Sequence, residues 1–177
     1  MKGVIEMYHV NDTILYGMQG VCRIVEIIKR NFGRSMEEYY VLKPVNDKGS
    51  TIYVPVNNEN LIRKMRPVLS AEEIHQIIQA MPKEETLWIA DENIRKEKYK
   101  KIISEGKPIE LVRMIKALYQ HQQEQMAKGK KLHIADMNFF KEAEKILYDE
   151  FAAVLDLEPS QVLPFIVEEI EFAETRK

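Results

Sequence analysis

Side chains able to do chemistry are few in this chain, and they are scattered. There are four histidines, His9, His75, His121 and His133, and one cysteine, Cys22. A metal site needs several ligands brought together, usually legible as C-x-x-C or H-E-x-x-H spacings, and no such set occurs. Nor is there a glycine-rich phosphate loop or a G-x-S-x-G nucleophile elbow. Cys22 follows Val21 in a strand-like run, where a buried and inert thiol is the ordinary state. The carboxylates fall mostly at helical surface spacing. These residues call for no catalysis, no cofactor and no metal.

Binding chemistry is better represented. The stretch KEETLWIADENIRKEKYKKII, residues 83–103, holds the one tryptophan, Trp88, followed by a dense run of cations. Read as a helix from about Leu87 to Ser104, it places Arg95, Lys98 and Lys101 on one face, with Lys96 and Lys100 flanking them. Tyr99, Ile102 and Ile103 form the opposite, core-facing stripe. A row of cations on a rigid rod suits a row of phosphates. That cationic face carries no Asn or Gln placed to read adenine, so base preference would come from shape or from a wedge. Trp88 has two readings. Its ring can cap a helical core beside Leu87 and Ile89, or stay partly exposed and wedge into a minor groove. Acidic Glu84, Glu85, Asp91 and Glu92 would keep phosphates off the adjoining surface.

The net charge of −2 conceals a segregated distribution. Residues 7–67 sum to +3 and residues 68–92 to −5, whereas residues 93–135 sum to +7 and residues 136–177 to −7. Charged runs often form solvated helix faces, but separation on this scale also describes a basic patch facing an anionic partner. The 45% hydrophobic and 31% charged content is that of a globular protein. No apolar run approaches the roughly 20 residues that span a bilayer, and the start, MKGVIEMYHVND, lacks a signal-peptide pattern. A lone cysteine excludes an internal disulfide. The expectation is a cytoplasmic protein without a membrane partner.

The elements that must position these residues fall into two textures. In the first third, DTILYG, GVCRIVEII, EEYYVLKPV, STIYVPV and NLIRKMRPV read as short strands separated by turn signals such as GMQG and NDKG. Five strands in so short a span suit a small, strongly bent sheet or SH3-like barrel. Pro55 should end the fourth, since it offers no ladder donor. From LSAEEI onward the periodicity is helical. Ser70 and Glu73 make a capping box for a helix to about Ala80. After the basic helix come three more: Pro108 to about Ala127, about Ala135 to Leu155, and one opened by Pro159 with Pro164 expected to bend it. The fold class is α+β, with an extension at 1–6, a β domain over 7–67 and an all-α domain of about five helices over 68–177.

Several stretches together resemble the CarD/CdnL family of bacterial transcription regulators. They are MYHVNDTILYGMQGVCRIVEI, EYYVLKP, TIYVPVNN, the Trp-plus-basic segment, SEGKPIELVRMIKALYQ and FFKEAEKILYDEFA, covering about residues 7–157. The resemblance implies a Tudor-like domain that binds the RNA polymerase β-subunit lobe, partly by strand augmentation. It also implies a helical domain that contacts promoter DNA just upstream of the −10 element. By matching flanks, Trp88 is the minor-groove wedge that stabilises the open complex. Arg30 matches a polymerase-contacting arginine, Phe32 an apolar contact, and Tyr53 a position that is basic in some members. Such a protein would be a monomer, nucleoid-associated through polymerase. The alternative is a non-enzymatic adaptor with no direct DNA contact.

Overall fold

The computed structural model describes residues 8–33 and 35–175; the expected extension at 1–6 lies outside them. The chain divides into two compact units, residues 1–68 and 69–177.

In the first unit the apolar alternation builds β1 (Thr13–Tyr16), β2 (Val21–Asn31), β3 (Met36–Pro44), β4 (Ile52–Pro55) and β5 (Met65–Pro67). They form one antiparallel sheet in the order β4-β3-β2-β1-β5. Gly20, at φ 73°, makes the turn into β2 in the left-handed region that favours glycine. Ile14, Cys22, Ile24, Tyr40, Leu42 and Val54 lie on one side of the pleat and pack as the core. Burial drives the Cys22 thiol up to about 11, so it stays protonated at neutral pH. The fifth strand is shorter than the run NLIRKMRPV predicts. Asn58 accepts a hydrogen bond from the Leu61 amide and caps a single-turn helix, α1 (Glu59–Ile62), leaving only Met65–Pro67 extended.

A register shift between Ile24 and Glu26 is the feature that shapes this unit's surface. One extra residue increases local twist and re-aims the side chains that follow. Beyond it β1 no longer accompanies β2, and β4 accompanies β3 only over Tyr39–Leu42. The ends of β2 and β3 therefore continue as a two-stranded arm whose side chains are mostly exposed.

In the second unit the capping box forms as its spacing predicts. Ser70 Oγ accepts from the Glu73 amide while the Glu73 carboxylate accepts from the Ser70 amide, opening α2 (Ala71–Ala80). The others are α3 (Glu92–Glu105), α4 (Pro108–Ala127), α5 (Ile134–Leu155) and α6 (Pro159–Thr175). Ile74, Ile78, Val112, Leu147, Phe151, Val162 and Ile166 form the core. Pro164 does not break α6. The carbonyl it leaves unbonded belongs to exposed Ser160, where water can serve it.

The basic helix begins later than its pattern suggests. Asp91 takes the amides of Asn93 and Ile94, both at 2.9 Å, and so fixes the first turn at Glu92. Residues 84–89 run without helix, and Trp88 sits in that connection, not on the rod. The sheet followed by helices makes the protein α+β, as the two textures of the sequence predict.

Candidate functional site

The segment carrying Trp88 is fastened on both sides of the ring. The Leu87 amide donates to the Arg113 carbonyl at 3.2 Å, and the Leu87 carbonyl accepts from the Tyr99 hydroxyl at 2.8 Å. Arg95 Nη1 donates to the carbonyls of Ile89 (2.7 Å) and Ala90 (3.2 Å). Upstream, Glu84 accepts from Arg113 Nε at 2.8 Å, and the Lys116 ammonium bonds the carbonyls of Met81, Pro82 and Glu84. A connection without helix is thus held by α3 and α4 through bonds that use its own backbone groups.

The guanidinium of Arg95 is the hub. Its Nε and Nη2 donate to the two carboxylate oxygens of Asp136 on α5, each at 3.0 Å. Both side chains are buried, and the hydrogen-bonded carboxylate keeps Arg95 above its ordinary pKa. Burial likewise pushes Tyr99 up to about 12, so its phenol remains a donor.

Against this frame lies the indole. The Arg95 guanidinium stands over the Trp88 ring, its Cζ 4.5 Å from the centroid. The His121 imidazole of α4 stacks on the same indole, with centroids 3.9 Å apart and planes 25° from parallel. Trp88 remains half-buried. It is neither enclosed core filler nor a loose side chain: a flat ring braced on its own protein still meets solvent.

Arg95 must be removed from the expected row of phosphate contacts. It is 5% exposed, and turning it outward would strand Asp136 as a buried unpaired charge, a cost of roughly 3–5 kcal/mol. Its place on the core stripe follows from the spacing Arg95, Tyr99, Ile102, all buried. The lysines remain on the solvent side as two pairs, Lys98 with Lys101 and Lys96 with Lys100, separated by Glu97. Lys96 pairs with Glu92 at 2.5 Å and Lys101 with Glu105 at 3.8 Å. Lys96, with a smaller contribution from His133, holds the Glu92 carboxyl below its usual range. The turn between α4 and α5 carries exposed Lys128, Lys130 and Lys131, a few residues before the Asp136 that pairs with Arg95 of α3. Sequence reading missed His121, Arg113 and Asp136 as braces. His121 is 33 positions from its ring partner and Asp136 is 41 from Arg95, and no local pattern spans such distances.

The other unit brings Arg30, Phe32 and Tyr53 together. Phe32 is 53% exposed at the end of the arm. Its ring meets Tyr39 edge-on at 5.0 Å and Tyr53 at 5.2 Å, while Arg30 Cζ stands 5.4 Å from its centroid. Tyr39, unremarked in the sequence, is the buried base of the cluster. It pairs across the sheet with Ile28 and Pro55 and so ties the arm to β4. Among the described residues no strand pairs with the outer side of β2 beyond Ile24, so that edge can accept another strand. Exposed aromatics, one arginine and an open strand edge are the ingredients of a protein-recognition surface.

Residues 8–68 match the family described as CarD-like/TRCF RID domain. The N-terminal unit belongs to that family. Comparison with curated proteins gives no match. The RID match is consistent with a CarD-like protein, and it covers an N-terminal unit of the RNA polymerase-interacting kind, a protein-interaction domain rather than a known enzyme family. The match stops just before α2, so the Trp88 surface is read from its geometry. Among the described residues no group of His, Cys, Asp and Glu is arranged to hold a metal ion. None of the described helices is long and apolar enough to cross a membrane.

Proposed function

We propose that this CarD-like protein stabilises the open promoter complex by holding the RNA polymerase β-subunit lobe and upstream promoter DNA at once. The RID domain docks through the Phe32 cluster, with Arg30 supplying charge and the open edge of β2 supplying main-chain bonds. The helical unit meets the DNA just upstream of the −10 element. There Trp88 inserts at the upstream border of the melted segment, while Lys98, Lys100 and Lys101, with Lys96 beside Glu92, contact phosphates. The observation that carries this reading is the partly exposed indole braced by a buried ion pair and a stacked imidazole. A wedge must not give way when pressed between bases, and its order is fixed before DNA arrives.

Binding polymerase first raises the effective concentration of the wedge at the promoter, so weak intrinsic DNA affinity suffices. The shift towards the open state equals the difference in affinity for the two states; about 1.4 kcal/mol gives a tenfold change. The protein forms no bond and breaks none.

Arg30→Glu tests the docking half. The charge reversal places a carboxylate against Phe32 and an exposed arm, so folding should persist while pull-down of the β lobe falls at least about tenfold. Undiminished capture would move the polymerase interface elsewhere. The buried state of Arg95 and the acidic partners of Lys96 and Lys101 favour a second reading, an adaptor whose helical unit grips a protein. DNase footprints of polymerase on a promoter separate the two: an upstream extension with this protein present belongs to the DNA reading alone.

A further inference from the structure

Away from Trp88, the helical unit carries a groove of about 580 Å³ between α4, α5 and α6. Each helix gives it an apolar stripe at helical spacing: Ile115 and Tyr119, Phe140 and Leu147, Leu163 and Val167. Tyr119, Leu163 and Val167 are each about half exposed, an unusual concentration of large apolar groups on a surface with such charged surroundings. Three helices directing apolar stripes into one shared trough leave the vacancy that a fourth helix fills in a bundle.

Its charge is one-sided. The Glu144 carboxyl lies in the wall, bonded by the Tyr148 hydroxyl at 3.4 Å. Desolvation raises the Glu144 pKa, as expected of a carboxyl drawn partly out of water. Glu174 prolongs the Leu163–Val167–Ile170 stripe along α6 and Glu171 adjoins it, both exposed. The one lysine in the lining, Lys116, has its ammonium held by three carbonyls, so its charge stays fixed at the Met81 end. An occupant therefore meets apolar walls, a carboxylate midway and acids at one end.

We infer that this groove receives a basic amphipathic helix of a partner protein, its apolar stripe seated against α4, α5 and α6 and a Lys or Arg set against Glu144. The groove is lined by neither Trp88, the α3 lysines nor the Phe32 cluster, and it gives the protein a third contact.

Three synthetic helical peptides test it against the full chain, followed by methyl NMR of Ile115, Leu147 and Val167. The first has leucine at positions i, i+3, i+4 and i+7 with lysine elsewhere. The second has the same composition shuffled, and the third replaces lysine by glutamate. Only the first should shift those methyls saturably, with the others at least about tenfold weaker, and Glu144→Gln should weaken it about fivefold without unfolding the protein. Glu144→Gln keeps the Tyr148 bond, so a loss of affinity reports charge and not collapse. Equal binding of the shuffled peptide, absence of saturable binding, or insensitivity to Glu144→Gln overturns the inference. So does a self-association abolished by Val167→Glu, which would make a second copy the occupant.

Discussion

Replacing Trp88 by alanine should shorten the lifetime of the competitor-challenged open complex by about tenfold while polymerase binding stays intact. The magnitude is that of one stacked ring. Base–aromatic stacking is worth about 1–3 kcal/mol per base, and 1.4 kcal/mol of that, expressed only in the melted state, is tenfold in the equilibrium. The RID domain is a separate unit with its own core, so recruitment does not depend on the indole. Within the helical unit the ring is half-buried and its neighbours are held by other bonds, so the loss of stability should be modest. Trp88→Phe should recover part of the lifetime. An unchanged lifetime in Trp88→Ala would mean that the ring only packs against His121 and Arg95.

The second large effect concerns Asp136, which touches no partner in the proposal. Asp136→Ala should destabilise the helical unit by roughly 3–5 kcal/mol, because the Arg95 guanidinium is left buried without its carboxylate. Urea unfolding measures this directly. As the chain has one tryptophan, its emission reports on the segment Arg95 secures. Emission from the still-folded variant should move to the red as the ring gains water. Pairing Arg95→Met with Asp136→Leu separates packing from positioning. Apolar replacement of a whole buried pair is often neutral, so stability should largely return. The carbonyls of Ile89 and Ala90 would still lack their donor, so the red-shifted emission should persist. Wild-type stability in Asp136→Ala would show that the ion pair does not hold this segment.

The fold was largely legible because its signals are local. Ser70 and Glu73 announced α2, Pro108 and Pro159 announced α4 and α6, and the turn chemistry separated the strands. The misread boundaries were local contests too. Asp91 outcompetes the continuous helical pattern from Leu87, and Asn58 converts part of a strand-like run into a turn of helix. The site was legible only in part. Trp88 and the lysines are conspicuous as residue types, whereas Arg95 counted as one more cation. What removes it is Asp136 on another helix, and a charge pair formed through tertiary packing leaves no trace in spacing. The Phe32 cluster divides the same way. Phe32 follows β2 directly, but its meeting with Tyr53 depends on the register of β3 against β4.

The most direct measurement places 2-aminopurine at the base step just upstream of the −10 element in a promoter bound by polymerase. Addition of this protein should change its fluorescence as a base unstacks against the inserted indole, and Trp88→Ala should abolish that change while remaining bound. An identical signal with wild type and Trp88→Ala would contradict the account, leaving a polymerase-bound scaffold that does not enter the duplex.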